Sequence, residues 1–138
     1  MAEKEKIFVF DLDGTLVDTA PALLNAGNQI LKNIGRDPIN LEQYKGFIGG
    51  GTKKQVEKLL ISTGGIPNCG LDFYFKFFQD LYYQDPVKGC SLYKGVLELI
   101  ELLKSQGIKL TICTQKFESS AKKILLHLNV YQYFDGFA

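Results

Sequence analysis

The stretch Ile7-Phe8-Val9-Phe10-Asp11-Leu12-Asp13-Gly14-Thr15 decides how this chain is read. Four apolar residues in a row, met at once by acids and a glycine, read as a buried strand of a parallel sheet ending at Asp11. The two carboxylates stand at i and i+2, so both can aim at one point just beyond the strand. In open α/β sheets, the C-terminal ends of the strands are where ligands bind. Gly14 permits a tight turn whose amides can face an anion. On residue types alone, a plain polar turn accounts for Asp-x-Asp-Gly as well as a ligand site does.

Working outward, Ile108 to Cys113 forms a second strand candidate, preceded by Gly107 and followed by Thr114-Gln115-Lys116. Between Tyr93 and Gln106, Val96, Leu97, Ile100 and Leu103 recur at helical spacing, with Gly107 where a helix C-cap belongs. Ala121, Ile124, Leu125 and Leu128 repeat that pattern, and Phe134 to Ala138 opens a third strand. Strand, helix, strand, helix, strand is the grammar of an α/β sheet with right-handed crossovers, here with Ile7–Phe10 expected at its centre.

Between Ala20 and about Asp85 the grammar changes. Helical patterns run over 22–34, 52–62 and 71–83, separated by Asp37-Pro38, Gly49-Gly50-Gly51, Gly64-Gly65 and Asp85-Pro86. Phe73, Phe75 and Phe77 alternate as a strand would, but the stripe Leu71, Tyr74, Phe75, Phe78, Leu81, Tyr82 favours a helix. The middle block therefore reads as a helical insertion between the first strand and the rest of the sheet.

Composition excludes several classes. The chain has 138 residues, 46% hydrophobic and 22% charged, which argues against disorder. A chain of this length buries roughly two-thirds of its unfolded surface without a disulfide or structural metal. Sixteen basic against fifteen acidic residues, a net charge of +1, give no bulk attraction to nucleic acid. No run of apolar residues reaches membrane-spanning length, and the charged N-terminus lacks a signal-peptide pattern. Cys69, Cys90 and Cys113 are odd in number and lack metal-ligand spacing, so free thiols in a reducing cytoplasm are expected.

Phe10-Asp11-Leu12-Asp13-Gly14-Thr15-Leu16-Val17-Asp18-Thr19 resembles the first motif of the haloacid-dehalogenase-like (HAD) phosphatases. Leu110-Thr111-Ile112-Cys113-Thr114 resembles that family's second motif, an apolar strand ending in Ser or Thr, and Tyr93-Lys94-Gly95-Val96 resembles its Tyr-Pro-Gly-Val segment. Phe47-Ile48-Gly49-Gly50-Gly51 and Thr114-Gln115-Lys116 are similar to the phosphoglycolate phosphatase branch, which usually carries Asn where Gln115 stands. The resemblance covers essentially the whole chain. It implies an α/β, Rossmann-like parallel sheet core over residues 1–16 and 89–138, incomplete here, with an inserted helical cap over 17–88.

The roles it implies fit the chemistry of the residues. Asp11 would be the nucleophile toward a phosphate monoester, giving an aspartyl-phosphate, and would also bind Mg²⁺. Asp13 would act as general acid and then base, its carbonyl serving as a second metal ligand. Thr114 would donate its hydroxyl to the phosphoryl oxygens, with a helix N-cap as its plain structural alternative. Leu12, Gly14, Thr15, Gln115 and Lys116 would line the phosphate site, and Gly50 and Gly51 would add substrate contacts at a helix start. Against these stand plain readings: an exposed loop for Gly49–Lys54, a surface lysine for Lys116, packing for His127, cap core for the aromatics of 73–83, and a buried strand residue for Cys113. The acid at Asp13 separates the chain from dehalogenases and phosphonatases, which lack one there, and from ion-pumping ATPases, which carry Thr.

In the family, a lysine loop and a strand ending in Gly-Asp with a further acid follow the third strand, and nothing matching them precedes residue 138. The expectation is an N-terminal part of a longer phosphatase, inactive or weak by itself. Asp135, near the start of its strand, lies at the edge opposite the catalytic end, and the bare edge beside Phe8-Val9-Phe10 favours self-association by strand pairing. The expected activity is Mg²⁺-dependent hydrolysis of a small phosphorylated metabolite, 2-phosphoglycolate first, without nucleic-acid or membrane partners. The alternatives are a β-phosphoglucomutase-like phosphotransferase and a non-catalytic HAD-fold regulator.

Overall fold

The computed structural model describes residues 3–138. In chain order the elements are β1 (Ile7–Phe10), β2 (Val17–Asp18), α1 (Ala20–Asn33), α2 (Leu41–Lys45), α3 (Thr52–Ser62), α4 (Leu71–Gln84), β3 (Ser91–Leu92), α5 (Val96–Ser105), β4 (Lys109–Ile112), α6 (Glu118–His127) and β5 (Gly136–Phe137), with a 3-10 turn at Tyr131–Tyr133. The described residues divide into two compact units, one running up to Thr19 and resuming at Gly89, and one of residues 20–88. The first crossing falls after Thr19 rather than after Leu16. Val17 and Asp18 pair antiparallel with Leu92 and Ser91, which ties that segment to the first unit.

The first unit is built on a parallel sheet in the order β1-β4-β5. Ile7 to Phe10 pair in register with Lys109 to Ile112, and Thr111 and Ile112 pair with Gly136 and Phe137. β4 is therefore the central strand and β1 stands at an edge, which corrects the expectation that Ile7–Phe10 would be central and buried and agrees with the bare edge expected beside Phe8-Val9-Phe10. With a partner on one side only, Ile7, Phe8 and Val9 are 56%, 44% and 61% exposed. Leu110 and Ile112 are fully buried, as are Ile100 of α5 and Ala121, Ile124 and Leu125 of α6. Gly107, at φ 72°, ends α5 in the left-handed conformation that a side chain resists, and the chain turns into β4.

A two-way clamp sets β5 on β4. The Asp135 amide donates to the Leu110 carbonyl at 2.7 Å, and the Leu110 amide donates to Asp135 Oδ2 at 2.9 Å. Lys104 Nζ adds an ion pair to the same oxygen at 2.8 Å. Asp135 thus sits beside the first half of β4, at the edge opposite the strand ends that carry Asp11 and Thr114.

The second unit is helical throughout. α1 packs on α2 and α4, and α3 on α4, around buried Ala26, Ile30, Leu31, Tyr44, Leu59, Leu60 and Phe78. The alternating Phe73, Phe75 and Phe77 lie on the helix α4, whose inward stripe is Tyr74, Phe78 and Tyr82. Asn28 holds the turn out of α1, its side chain exchanging two 3.0 Å hydrogen bonds with the Ile39 backbone. Arg36 closes the far end of α3, donating to the carbonyls of Leu60 at 3.0 Å and Gly65 at 2.6 Å and to Thr63 Oγ1 at 3.0 Å. Among the described residues, no helix is long and apolar enough to cross a membrane.

Candidate active site

The site begins where β1 stops. Phe10 lies opposite Ile112, and the Cys113 amide donates to the Phe10 carbonyl at 2.8 Å. Asp11 and Cys113 therefore leave the sheet side by side at its C-terminal edge, about 4.8 Å apart as neighbouring strands are. Thr114 follows directly. Cys113 is exposed rather than buried, because β4 has already ended at Ile112.

The loop after β1 folds around one carbonyl. Leu12 O accepts from the amides of Thr15 at 3.3 Å, Leu16 at 3.0 Å and Val17 at 3.1 Å, while the Gly14 amide donates to Val17 O at 3.0 Å. Gly14 makes this possible at φ +75°, where its absent Cβ would meet open space. The Leu12 side chain is fully buried and pins the loop, leaving Asp11 exposed and Asp13 half-buried. Asp11 Oδ1 accepts from the Leu12 amide at 2.7 Å, which fixes the carboxylate at the strand end. Thr15 is exposed on the same turn.

A second turn, Thr114 to Lys116, arrives from β4. Thr114 Oγ1 accepts from the Lys116 amide at 3.1 Å. It therefore caps a turn and not the following helix, whose N-cap is Phe117 without a side-chain bond. The hydroxyl proton of Thr114 is left to donate elsewhere. Gln115 is exposed, whereas the Lys116 side chain is only 8% exposed and brings Nζ to 3.1 Å from Asp13 Oδ1. That oxygen is buried and makes no hydrogen bond, so the ammonium meets it as an ion pair without hydrogen-bond alignment.

The structure thus brings together Asp11, Leu12, Asp13, Gly14, Thr15, Thr114, Gln115 and Lys116 from two neighbouring strand ends. Gly50 and Gly51 belong to the helical unit, in the loop that enters α3 with positive φ at both residues. There Lys53 pairs with Asp72 at 2.6 Å and Lys54 with Glu57 at 3.7 Å. His127 is exposed at the end of α6, away from the strand ends.

The donor set suits a hard cation. The exposed Asp11 carboxylate at the strand end and the backbone carbonyl of Asp13 on the same turn are hard oxygen donors of the kind Mg²⁺ takes, while Asp13 Oδ1 is turned to the Lys116 ammonium. Among the described residues no three His, Cys, Asp or Glu side chains converge. Asp11 and Asp13 would therefore hold such an ion alongside several of its waters.

The model of the haloacid dehalogenase-like hydrolases matches residues 8–137. The chain belongs to the haloacid dehalogenase-like hydrolase family. The phosphoglycolate phosphatase of Rhodobacter capsulatus is 34% identical to this hydrolase-family chain over 128 residues, taking in 91% of the chain and 58% of its own length. That of Aquifex aeolicus is also 34% identical, over 94% of the chain and 58% of its own length. The chain thus spans a little under three-fifths of these curated relatives. Among solved structures, a predicted phosphoglycolate phosphatase from Haemophilus somnus superposes with a TM-score of 0.80 at 25% identity, covering 99% of the chain and 63% of its own. A predicted β-phosphoglucomutase from Thermotoga maritima, 24% identical with a TM-score of 0.68, covers 97% of the chain and 60% of its own and shares the haloacid dehalogenase-like fold.

Proposed function

We propose that this chain carries the nucleophile and the acid/base of a Mg²⁺-dependent phosphatase that hydrolyses a small phosphorylated metabolite, with 2-phosphoglycolate as the first substrate to test. The observation that carries the reading is the pair Asp11 and Asp13 on one turn at the end of β1, with Thr114 at the end of the strand beside it. The curated relatives named phosphoglycolate phosphatase support the substrate class.

In this reading an Asp11 oxygen attacks phosphorus and the ester P–O bond breaks, leaving an aspartyl-phosphate. Asp13, protonated, gives its proton to the departing alkoxide, and then takes one from the water that attacks the aspartyl-phosphate. Phosphate leaves and both carboxylates return to their starting state. Thr114 donates its hydroxyl to a phosphoryl oxygen, whereas the amides of Leu12 and of Gly14 to Val17 are already bonded within the turn and are not the anion donors that the sequence led one to expect. The Asp11 carboxylate and the Asp13 carbonyl would hold Mg²⁺, which when bound would supply charge that offsets repulsion between Asp11 and the monoester. The helical unit, residues 20–88, is the cap in this reading, with Gly50 and Gly51 on its substrate loop.

The test uses the full-length protein with Mg²⁺. Asp11→Asn abolishes turnover and phosphoenzyme, since an amide is a poor nucleophile. Asp13→Asn keeps ground-state binding and loses about 10²-fold or more in rate. Near-normal turnover by Asp11→Asn would show the nucleophile to be elsewhere. Transfer of the phosphoryl group to a sugar phosphate in preference to water would replace hydrolysis with the phosphotransferase reading.

A further inference from the structure

We propose that Lys116 is a positioning residue for Asp13, fixing the acid/base carboxylate through their ion pair and acting on the reaction through it. The inference rests on the reading of Asp13 as acid and base.

Three observations carry it. First, burial singles this lysine out. The lysine side chains paired at Lys53, Lys54, Lys104, Lys109 and Lys122 are 51%, 61%, 30%, 50% and 40% exposed, against 8% for Lys116. Lysine is rarely buried without a charged partner, because removing an ammonium from water is costly unless an anion offsets it. Second, Lys116 is held in place from both ends. Its amide is bound to Thr114 Oγ1 at 3.1 Å, and its Nζ reaches across from the β4 turn to the β1 turn, 3.1 Å from Asp13 Oδ1. Third, that oxygen is buried and makes no hydrogen bond, so among the described residues the ammonium is what orients it. A carboxylate that must meet the leaving oxygen and then a water works only from a defined position, and a misplacement of about 1 Å can cost about 10²-fold.

A lysine that simply bound phosphate would behave differently. Phosphate binding is common to every monoester, so its loss lowers all substrates alike. Loss of Asp13 positioning harms only those whose leaving group needs the proton. An alkyl phosphate expels an alkoxide that must be protonated as the P–O bond breaks, whereas 4-nitrophenolate departs as a stable anion.

The experiment measures kcat/KM, which reports steps up to aspartyl-phosphate formation, in the Mg²⁺-loaded full-length protein for 2-phosphoglycolate and 4-nitrophenyl phosphate. Lys116→Met is expected to lose about tenfold or more on the alkyl substrate and less than about threefold on the aryl one. Lys116→Arg recovers most of the loss, and adding Lys116→Met to Asp13→Asn costs nothing further, as expected for residues acting as a unit. Urea midpoints accompany each variant, and Lys116→Gln carries the same comparison if Lys116→Met does not fold. Equal losses on both substrates, or a further loss in the double variant, overturn the positioning role in favour of direct phosphate binding. If Asp13→Asn itself treats the two substrates alike, the acid assignment falls and the positioning role with it. If Asp13→Asn discriminates and Lys116→Met does not, the positioning role alone falls.

Discussion

Replacing Gly14 by alanine probes how tightly the turn after β1 is set. Gly14 has φ +75°, and a Cβ built there meets nothing within 4 Å, so the substitution introduces backbone strain and no clash. An L-residue held in that left-handed conformation costs about 1–2 kcal/mol. The turn could instead relax, giving up the 3.0 Å bond from the Gly14 amide to Val17 O and one of the three bonds to Leu12 O. At about 1 kcal/mol for each, that route costs about the same. Both routes predict a stability loss of about 1–2 kcal/mol, read as a lower urea midpoint with an unchanged slope. Activity of the full-length protein should fall further than that, by about 10²-fold, because relaxation shifts Asp13 relative to Asp11. Gly14→Asn, whose side chain tolerates positive φ, should recover at least half of the stability. Wild-type stability in Gly14→Ala, or equal damage from Ala and Asn, would refute the backbone argument.

Other expectations follow from single contacts. Arg36→Met removes three hydrogen bonds at the end of α3; Gly65 is partly exposed and water replaces that partner, so the expected loss is about 2–3 kcal/mol by urea unfolding, with Arg36→Lys intermediate. Lys104, and then the Leu110 amide, hold the Asp135 carboxyl below the ordinary carboxylate range. A depressed folded value means that this stabilisation is present above about pH 4 and fades as pH falls through the lowered value; the gap between wild type and Asp135→Ala, about 1–2 kcal/mol at pH 7, should narrow in acid. With two protein ligands at hand, the 138-residue chain alone should show no saturable Mg²⁺ binding below about 1 mM by calorimetry.

Periodicity made most of the helices legible, because burying one face demands a stripe that local sequence alone displays. α3 runs over Thr52–Ser62 as its pattern reads, and α4 stays helical despite its alternating phenylalanines. Shorter elements left less trace. α2 has five residues, too few for a stripe, although Asn40 and Gln43 form a capping box whose spacing could have announced it. β2 and β3 have two residues each and exist only because they pair with one another across the sequence. The apolar run Ile7–Phe10 by itself reads as buried; its exposure follows from its having one sheet neighbour, which the run does not display and which only the comparison with the family's strand order suggested. At the candidate site, the placement of Asp11 and Asp13 on one turn after β1 was legible because their spacing is local. The pairing of Lys116 with Asp13 carries no local signal, since only the parallel register of β1 and β4 brings their two turns together.

The little ribbon of β2 and β3 has a consequence for how such a protein can be altered. The chain leaves the sheet-bearing unit just after Asp18 and re-enters just before Ser91, and those two residues are paired. Whatever is threaded between them has its ends fixed at one address, whatever its size. Closing a segment of roughly 70 residues there costs only about 2.5 kcal/mol more in chain entropy than closing a four-residue turn. The doorway is therefore nearly indifferent to its contents. Helical modules of other lengths and surfaces could be exchanged at that point as cassettes, with the strand order and both aspartates left as they were.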